Sequence, residues 1–426
     1  MRCEHLKVWL SNKDVFQDQL MPIMQAMADG SMPESCLQFF GDSMLVLIDK
    51  PDGGIRPIAL LECLRNLVGR LVLRGVMDDL RASLKQFQLA VGIKGGVEAV
   101  IHGVRGVLEQ CPEWGLLQVD FENMFNEISR DGVLNAVMRR CPRALPFVRA
   151  LYCRESTISL RVSKEQVIAF FCESQQGVFQ GDALGTALAC CLLADFQDAL
   201  KQHMDDNNFD LVQLAIADDL SILGDPAALQ CAYGFITSKA PSKRSGLVAP
   251  EPWALKCRES KCKLYRPRGL GCFDDAVAPG GTQGAYPIHA SVERCPDGVR
   301  CVGAPVGSAA FCESFCQELV TEKYAVRLQR IAKFPDTQSA LLFLRFCHVT
   351  RFVFVTRTTP PSLAAAAAEQ MDASTRDALD HILGLASQPG YMLDAQDWAQ
   401  AQLSIKAGGL GLWCLLPWIK PYNYTV

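Results

Sequence analysis

The sequence predicts an α+β fold, and three observations carry the prediction. Short apolar runs containing β-branched residues stand in pairs around turn signals, as in "IDKPDGGIRPIAL" and "LVQLAIADDLSIL". Longer runs with helical spacing lie between them, such as Ala183 to His203. From Ala310 to the end the pattern is mostly helical.

Taken in order, residues 1–39 show no clear pattern and are read as an N-terminal extension. "IDKPDGGIRPIAL" reads as strand, Gly-rich turn and strand, with Lys50 and Arg56 on either side of the turn. Helical spacing runs from Leu60 to about Leu84, and "AVGIKGG" is a flexible turn leading into a helix from about Val97 to Leu108. "GLLQVDF" is a buried strand ending in Asp120. Helical segments follow, then strand character from Thr157 to Phe171, then "QQGVFQGD" and the long apolar helix from about Ala183. After the Asp218–Asp219 hairpin, residues 226–240 look helical. Residues 267–310 are rich in Gly, Pro and Cys, and "GVRCVGAPVG" within them reads as another short hairpin. Pro360, Pro361 and Ser362 mark the start of a helix that continues through "LAAAAAEQMDASTRDALDHILGL".

At 426 residues, 49% apolar and 21% charged, the chain has ordinary globular composition and length enough for two or three packed units. It has no run of about eighteen uncharged apolar residues and no charged start followed by an apolar stretch. The expectation is therefore no membrane partner, no secretion, and a place in the cytoplasm or nucleus. Nineteen scattered cysteines, including adjacent Cys190 and Cys191, suit reduced thiols better than a secreted disulfide framework. The densest group, from Cys257 to Cys316, contains no C-x2-C unit, so zinc is not expected. A net charge of -4 argues against a surface that grips nucleic acid all over. Locally the balance reverses. Between residues 239 and 268, Lys239, Lys243, Arg244, Lys256, Arg258, Lys261, Lys263, Arg266 and Arg268 face only Glu251 and Glu259. Such a stripe suits either phosphates or a solvated face.

Adjacent carboxylates at the tip of buried strands cost electrostatic energy unless a cation neutralises them. Asp218 and Asp219 differ in this from Asp78–Asp79, Asp205–Asp206 and Asp274–Asp275, which read as solvated ends or loops. If the strand before Asp120 neighbours this hairpin in one sheet, three carboxylates converge at its edge. That arrangement can hold two Mg2+ ions about 3.5 to 4 Å apart for phosphoryl transfer. Taken alone, the pair reads more readily as a polar turn, and Asp120 equally as a strand-end cap.

The order of motifs resembles the reverse transcriptase domain of non-LTR retrotransposons over roughly residues 45 to 415. "KPDGGIRPI" is similar to the fingers motif, "QFQLAVGIKGGVEAVIHGVR" to a segment of several such elements, and "VDFENMFNEISR" to the first palm motif. "GVFQGDALGTAL" resembles the Gln-Gly motif, "IADD" the catalytic hairpin, and "GLVAPEPWALKCRESKCKLY" the lysine-bearing motif. "VGAPVGS" resembles the primer-grip hairpin and "GGLGL" a thumb-side signature.

The resemblance implies a right-hand polymerase fold with fingers, an antiparallel-sheet palm and a helical thumb. Its parts would be fingers at 40–115, palm with fingers insertions and primer-grip hairpin at 116–309, and thumb at 310–426. It implies RNA-directed DNA polymerase activity, with RNA template, DNA primer and dNTPs as partners. Asp120, Asp218 and Asp219 would hold two Mg2+ ions, or Mn2+, with the backbone carbonyl of Phe121 as a further ligand. Phe125 would be the steric gate against a ribose 2'-hydroxyl. Lys50 and Arg56 would neutralise the triphosphate, Arg56 through its planar fork. Gln180 and Gly181 would lie against the nascent pair, where glycine permits close backbone approach. Lys261 would meet the departing pyrophosphate, with Lys256 and Lys263 as competitors.

The sequence departs from the family pattern at Ile216, where an aromatic is usual, at Met124 in place of alanine, and at Ala183 in place of proline. About forty residues precede the fingers motif, too few for the upstream endonuclease such elements encode. The expectation is the polymerase part of a larger element, a truncated copy or a domesticated derivative, with the endonuclease on a separate domain or chain. Two other functions share these residues: a catalytically weak or inactive nucleic-acid-binding derivative, and a non-templated or RNA-synthesising polymerase, against which Phe125 counts.

Overall fold

In the computed structural model, residues 3–50, 53–84, 86–163, 166–240, 252–273, 287–385 and 392–415 are described. Contacts divide the chain into two units. The first is Met1–Val100, Gln110–Leu264 and Arg268–Arg294; the second is Ile101–Glu109, Tyr265–Pro267 and Cys295–Val426. The architecture is mixed helix and sheet, as an α+β chain requires.

The first unit opens with helices α1 (Cys3–Ser11), α2 (Met21–Ala28) and α3 (Glu34–Gly41). This corrects the patternless reading of residues 1–39. These helices bury little besides Leu6, Met27 and Leu37, joined by Leu20 just before α2, too sparse a set to show a period in sequence. Strands β1 (Ser43–Asp49) and β2 (Ile55–Leu61) form the expected antiparallel hairpin, with Asp49 opposite Ile55. Pro51 and Asp52 of its turn lie outside the described residues.

The single helix expected from Leu60 to Leu84 is two helices, α4 (Cys63–Gly75) and α5 (Met77–Leu84). The Glu62 carboxylate accepts the Leu64 N–H (2.6 Å) and so starts α4 three residues after Leu60. The break falls where Gly75 offers least support to a turn and Val76 leaves helical dihedrals (φ -108°, ψ 8°). Helix α6 (Gly96–Gln110), most of which, Ile101–Glu109, belongs to the second unit, follows in the chain, then β3 (Gly115–Val119), α7 (Arg130–Arg140) and α8 (Leu145–Tyr152). The strand stretch 157–171 is a hairpin of β4 (Ser156–Arg161) and β5 (Val167–Ser174). No glycine or proline marks its turn, which is why the sequence reads as one run. The order β2-β1-β4-β5 makes a mixed sheet, because β1 and β4 run parallel.

Helix α9 (Gly185–Asp206) buries Leu188, Ala189, Cys190, Cys191, Leu192, Leu193 and Ala194 in succession. A helix apolar all round belongs at the centre of a core. Strands β6 (Leu211–Ile216) and β7 (Asp219–Gly224) pair antiparallel, and α10 (Pro226–Lys239) starts on an Asp225 cap with Pro226 in its first turn. With β8 (Lys263–Tyr265) and β9 (Glu293–Cys295) they complete a sheet of order β6-β7-β3-β8-β9. Leu116, Leu117, Leu220, Ile222 and Leu223 of its central strands are buried, each worth about 1.5–3 kcal/mol.

The second unit contains the hairpin β10 (Gly298–Cys301) and β11 (Ala304–Gly307), then α11 (Ala309–Glu318) and α12 (Pro361–Ile382). Its helices close over two apolar clusters, one around Leu344 and Leu379 and one around Phe352 and Ala368. Among the described residues one helical run, Thr337–Thr358, is long and apolar enough to cross a membrane by length and composition. The sequence expectation had found no such segment. This run supplies Leu344, Val349, Phe352 and Val355 to those clusters and carries Arg345, Arg351 and Arg357. From Cys36 to Cys414 the described cysteines form no disulfide.

Candidate active site

Strand pairing brings the aspartates to one end of a sheet. In the β3–β7 register Val119 faces Leu220, so Asp120 and Asp219 stand one step beyond the last paired residues. Ile216 pairs with Asp219 across the β6–β7 turn, leaving Ala217 and Asp218 at its tip. Beside that end a cavity of about 460 Å³ is lined by Asp120, Phe121, Asn123, Met124 and Phe125 from the segment after β3, and by Asp218. Lys50, Arg56, Gln180, Arg258 and Lys261 complete its wall.

Local bonds explain the assembly. The Arg258 N–H donates to the Asp120 carbonyl (2.8 Å) and the Glu122 N–H to the Lys256 carbonyl (2.8 Å), so residues 256–258 run beside 120–122. The Ala59 N–H donates to the Gln180 carbonyl (2.8 Å), joining β2 to the Gln-Gly segment. At Gly181 (φ +126°) a Cβ would stand 2.2 Å from the Ala59 carbonyl oxygen, so only glycine fits. Val178 N–H bonds to the Phe125 carbonyl (2.6 Å). The Phe121 ring is buried edge-on against Phe196 (5.8 Å between centroids), which leaves its backbone as the part it can offer the cavity.

Burial raises the Asp120 carboxyl above its usual range, opposed by the charges of Lys261 and Arg258 and aided by that of Asp218. Asp219 is pushed up to about 6 by partial burial of its carboxyl and then by Asp218 and Asp120. Its residue is exposed at the head of β7 and is not part of the cavity wall. Among the described residues no three His, Cys, Asp or Glu side chains are placed as a ready metal cluster. Asp120 and Asp218 nevertheless offer hard oxygen donors to one cavity, and two mutually repelling carboxylates, that of Asp120 raised by burial, suit a divalent cation.

Of the sequence candidates, Lys50, Arg56, Asp120, Phe121, Phe125, Gln180, Asp218 and Lys261 share the cavity; Gly181 and Asp219 adjoin its members in sequence. The basic stripe divides. Lys256 is paired with Glu127, Lys263 with Glu293 (3.0 Å) and Arg268 with Glu113, while Arg258 and Lys261 reach the cavity. Lys243, Arg244 and Glu251 lie outside the described residues, as does the Asp274–Asp275 pair. Arg258 and Asn123 are cavity residues that sequence reasoning did not single out. Arg258 was one charge among nine, and Asn123 (φ 45°) carries only the weak signal that asparagine tolerates left-handed backbone.

No family model matches the chain, and no curated protein does. Solved structures it is similar to include apo telomerase from Candida tropicalis truncated from the C-terminal domain, at 15% identity over 52% of this chain and 49% of that one, with a TM-score of 0.39. Telomerase from Candida albicans in complex with a TWJ fragment of telomeric RNA is similar at 10% identity over 92% of this chain and 66% of that one, TM-score 0.45. Apo telomerase from Candida tropicalis is similar at 12% identity over 82% and 63%, TM-score 0.43. The chain thus spans between 49% and 66% of the length of these proteins.

Proposed function

We propose that this chain is an RNA-directed DNA polymerase of the non-LTR retrotransposon kind, extending a DNA primer along an RNA template with dNTPs. The observation that supports it is the composition of one cavity. Carboxylates from the β3 end and the β6–β7 turn share it with Lys50 and Arg56 of the β1–β2 hairpin, Gln180, and Arg258 and Lys261. Carboxylates facing an array of cations suit a nucleoside triphosphate together with divalent metal.

Two Mg2+ ions, or Mn2+, held by Asp120, Asp218, Asp219 and the Phe121 carbonyl, would supply activation of the primer hydroxyl and stabilisation of the leaving group. Lys50, Arg56 and Arg258 balance triphosphate charge. The primer 3'-hydroxyl would lose its proton to solvent and its oxygen would bond to the α-phosphorus as the bond from that phosphorus to the α–β bridging oxygen breaks, pyrophosphate leaving with the electron pair. Lys261, which lines the cavity, would give that leaving group a proton. Phe125 would exclude a 2'-hydroxyl, and the Gln180 segment would support the new pair.

The test is primer extension on an annealed RNA template with Mg2+ and dNTPs, beside Asp218→Ala and Asp219→Ala proteins. Extension by the parent alone supports the proposal. Equal silence of all three, with salt-sensitive binding of the duplex retained, favours a second function as a nucleic-acid-binding derivative without catalysis. The lack of a ready three-acid cluster among the described residues is what favours that alternative.

A further inference from the structure

The turn that presents Asp218 is held from outside its own hairpin. Ala217, between β6 and Asp218, has φ 53°, a left-handed conformation that disfavours any side chain. Its N–H donates to Gln88 Oε1 (2.9 Å), and its carbonyl accepts from Gln88 Nε2 (2.9 Å), across 129 positions of sequence. Gln88 is fully buried, at 0% exposure. Its chain neighbours grip the same strand: the Leu89 N–H donates to the Ala215 carbonyl (2.9 Å) and the Ala215 N–H to the Phe87 carbonyl (2.7 Å). Oε1 also accepts the Ala90 N–H (3.2 Å).

A primary amide is suited to this place because it offers an acceptor and a donor side by side, matching the N–H and C=O of one residue. Glutamate lacks the donor, and methionine fills similar space with neither. Extending the polymerase proposal, on which this rests, we infer that Gln88 is a positioning residue for the catalytic turn. It locks Ala217 left-handed and so sets where the Asp218 carboxylate enters the cavity. Gln88 does not line the cavity, so its loss acts on orientation and leaves nucleotide binding in place.

The experiment compares the parent, Gln88→Met, and Gln88→Met with Ala217→Gly, since glycine adopts φ 53° unaided. Primer extension gives kcat and KM for dNTP, and hydrogen exchange reads the Ala217 amide. Displacing a reacting group by about 1 Å costs roughly a hundredfold, so kcat of Gln88→Met should fall by about that much with KM within about threefold of the parent. The added glycine should return about tenfold of it. Ala217 should exchange faster in Gln88→Met while the amides of α9 keep their protection. Unchanged kcat overturns the inference. So does a loss that glycine fails to restore and that comes with faster exchange throughout the first unit, because that is a folding defect. If Gln88→Met does not fold, Gln88→Glu keeps the acceptor and takes its place under the same criteria. If the parent makes no product, the polymerase proposal fails and exchange alone judges the clamp. Faster Ala217 exchange in the variant then upholds it, and an unchanged rate overturns it.

Discussion

Two places in the first unit gather charge, and they treat it in opposite ways. Arg65 and Asp182 form a closed pair at 2.8 Å, with side chains 1% and 3% exposed. Arg65 Nη1 donates to the carbonyls of Phe40 (3.0 Å) and Gly41 (3.2 Å), and the guanidinium lies over the rings of Tyr152 and Phe179. Asp182 accepts from the Tyr152 hydroxyl (2.7 Å) and the Leu184 N–H (2.9 Å). In the cavity, by contrast, Asp120 stays above its usual carboxyl range although Lys261, Arg258 and Lys50 all pull it down. A buried pair with its hydrogen bonds made, the Arg65 Nε excepted, holds structure, joining α4 to the segment that presents Gln180. Carboxylates left short of compensation leave room for a ligand to supply charge.

Removing a charge from each place sharpens the contrast. Asp218→Ala should abolish primer extension, by on the order of a thousandfold or more, because metal assistance contributes several kcal/mol to the transition state. Its unfolding midpoint in urea should not fall. Asp182→Ala should do the reverse in kind and lose about 3–5 kcal/mol in the same unfolding measurement, since Arg65 would be left buried without its partner. Arg65→Met combined with Asp182→Leu should recover most of that loss. Equal stability effects at the two aspartates would break the comparison.

The second unit provides a third case, an ionisable group kept neutral. His348 is fully buried, its ring nitrogens have no partner, and burial, aided by Arg327, lowers its pKa to about 4. A histidine whose folded pKa lies below its unfolded value of about 6.5 stabilises fully above that value and loses the contribution as pH falls through 4. Unfolding free energy should drop by about 3 kcal/mol over that window, and His348→Leu should flatten the drop. Phe125→Ala should weaken discrimination against rNTPs by roughly tenfold, read from the ratio of kcat/KM values. The smallest effect belongs to Asp219, raised to about 6. A carboxyl raised this way loses stability as pH rises from its unfolded value of about 4 through its folded pKa of about 6. Asp219→Asn should therefore raise Tm at pH 7.5, raise it by less at pH 5 and leave it nearly unchanged at pH 3.

Much of this site was legible locally. The strand before Asp120, the hairpin around Asp218 and the helix from Gly185 each follow from an apolar pattern ended by polar or turn residues. The N-terminal helices and the break at Val76 were not legible, because sparse burial and a glycine–valine step leave no periodic trace. Arg258 was visible only as one member of a basic stripe. That it reaches the cavity while Lys256 and Lys263 meet glutamates depends on which acids the fold places beside each.

By itself the sequence determined the elements and the residue types at their ends, since hydrophobic period, caps and turn chemistry act over a few residues. Tertiary structure alone decided which ends meet. The β3–β7 register brings Asp120 beside the aspartate turn, and Gln88 closes on Ala217 from 129 residues away. Such contacts rest on strand pairing and on satisfying buried polar groups between distant segments, and a local pattern carries neither.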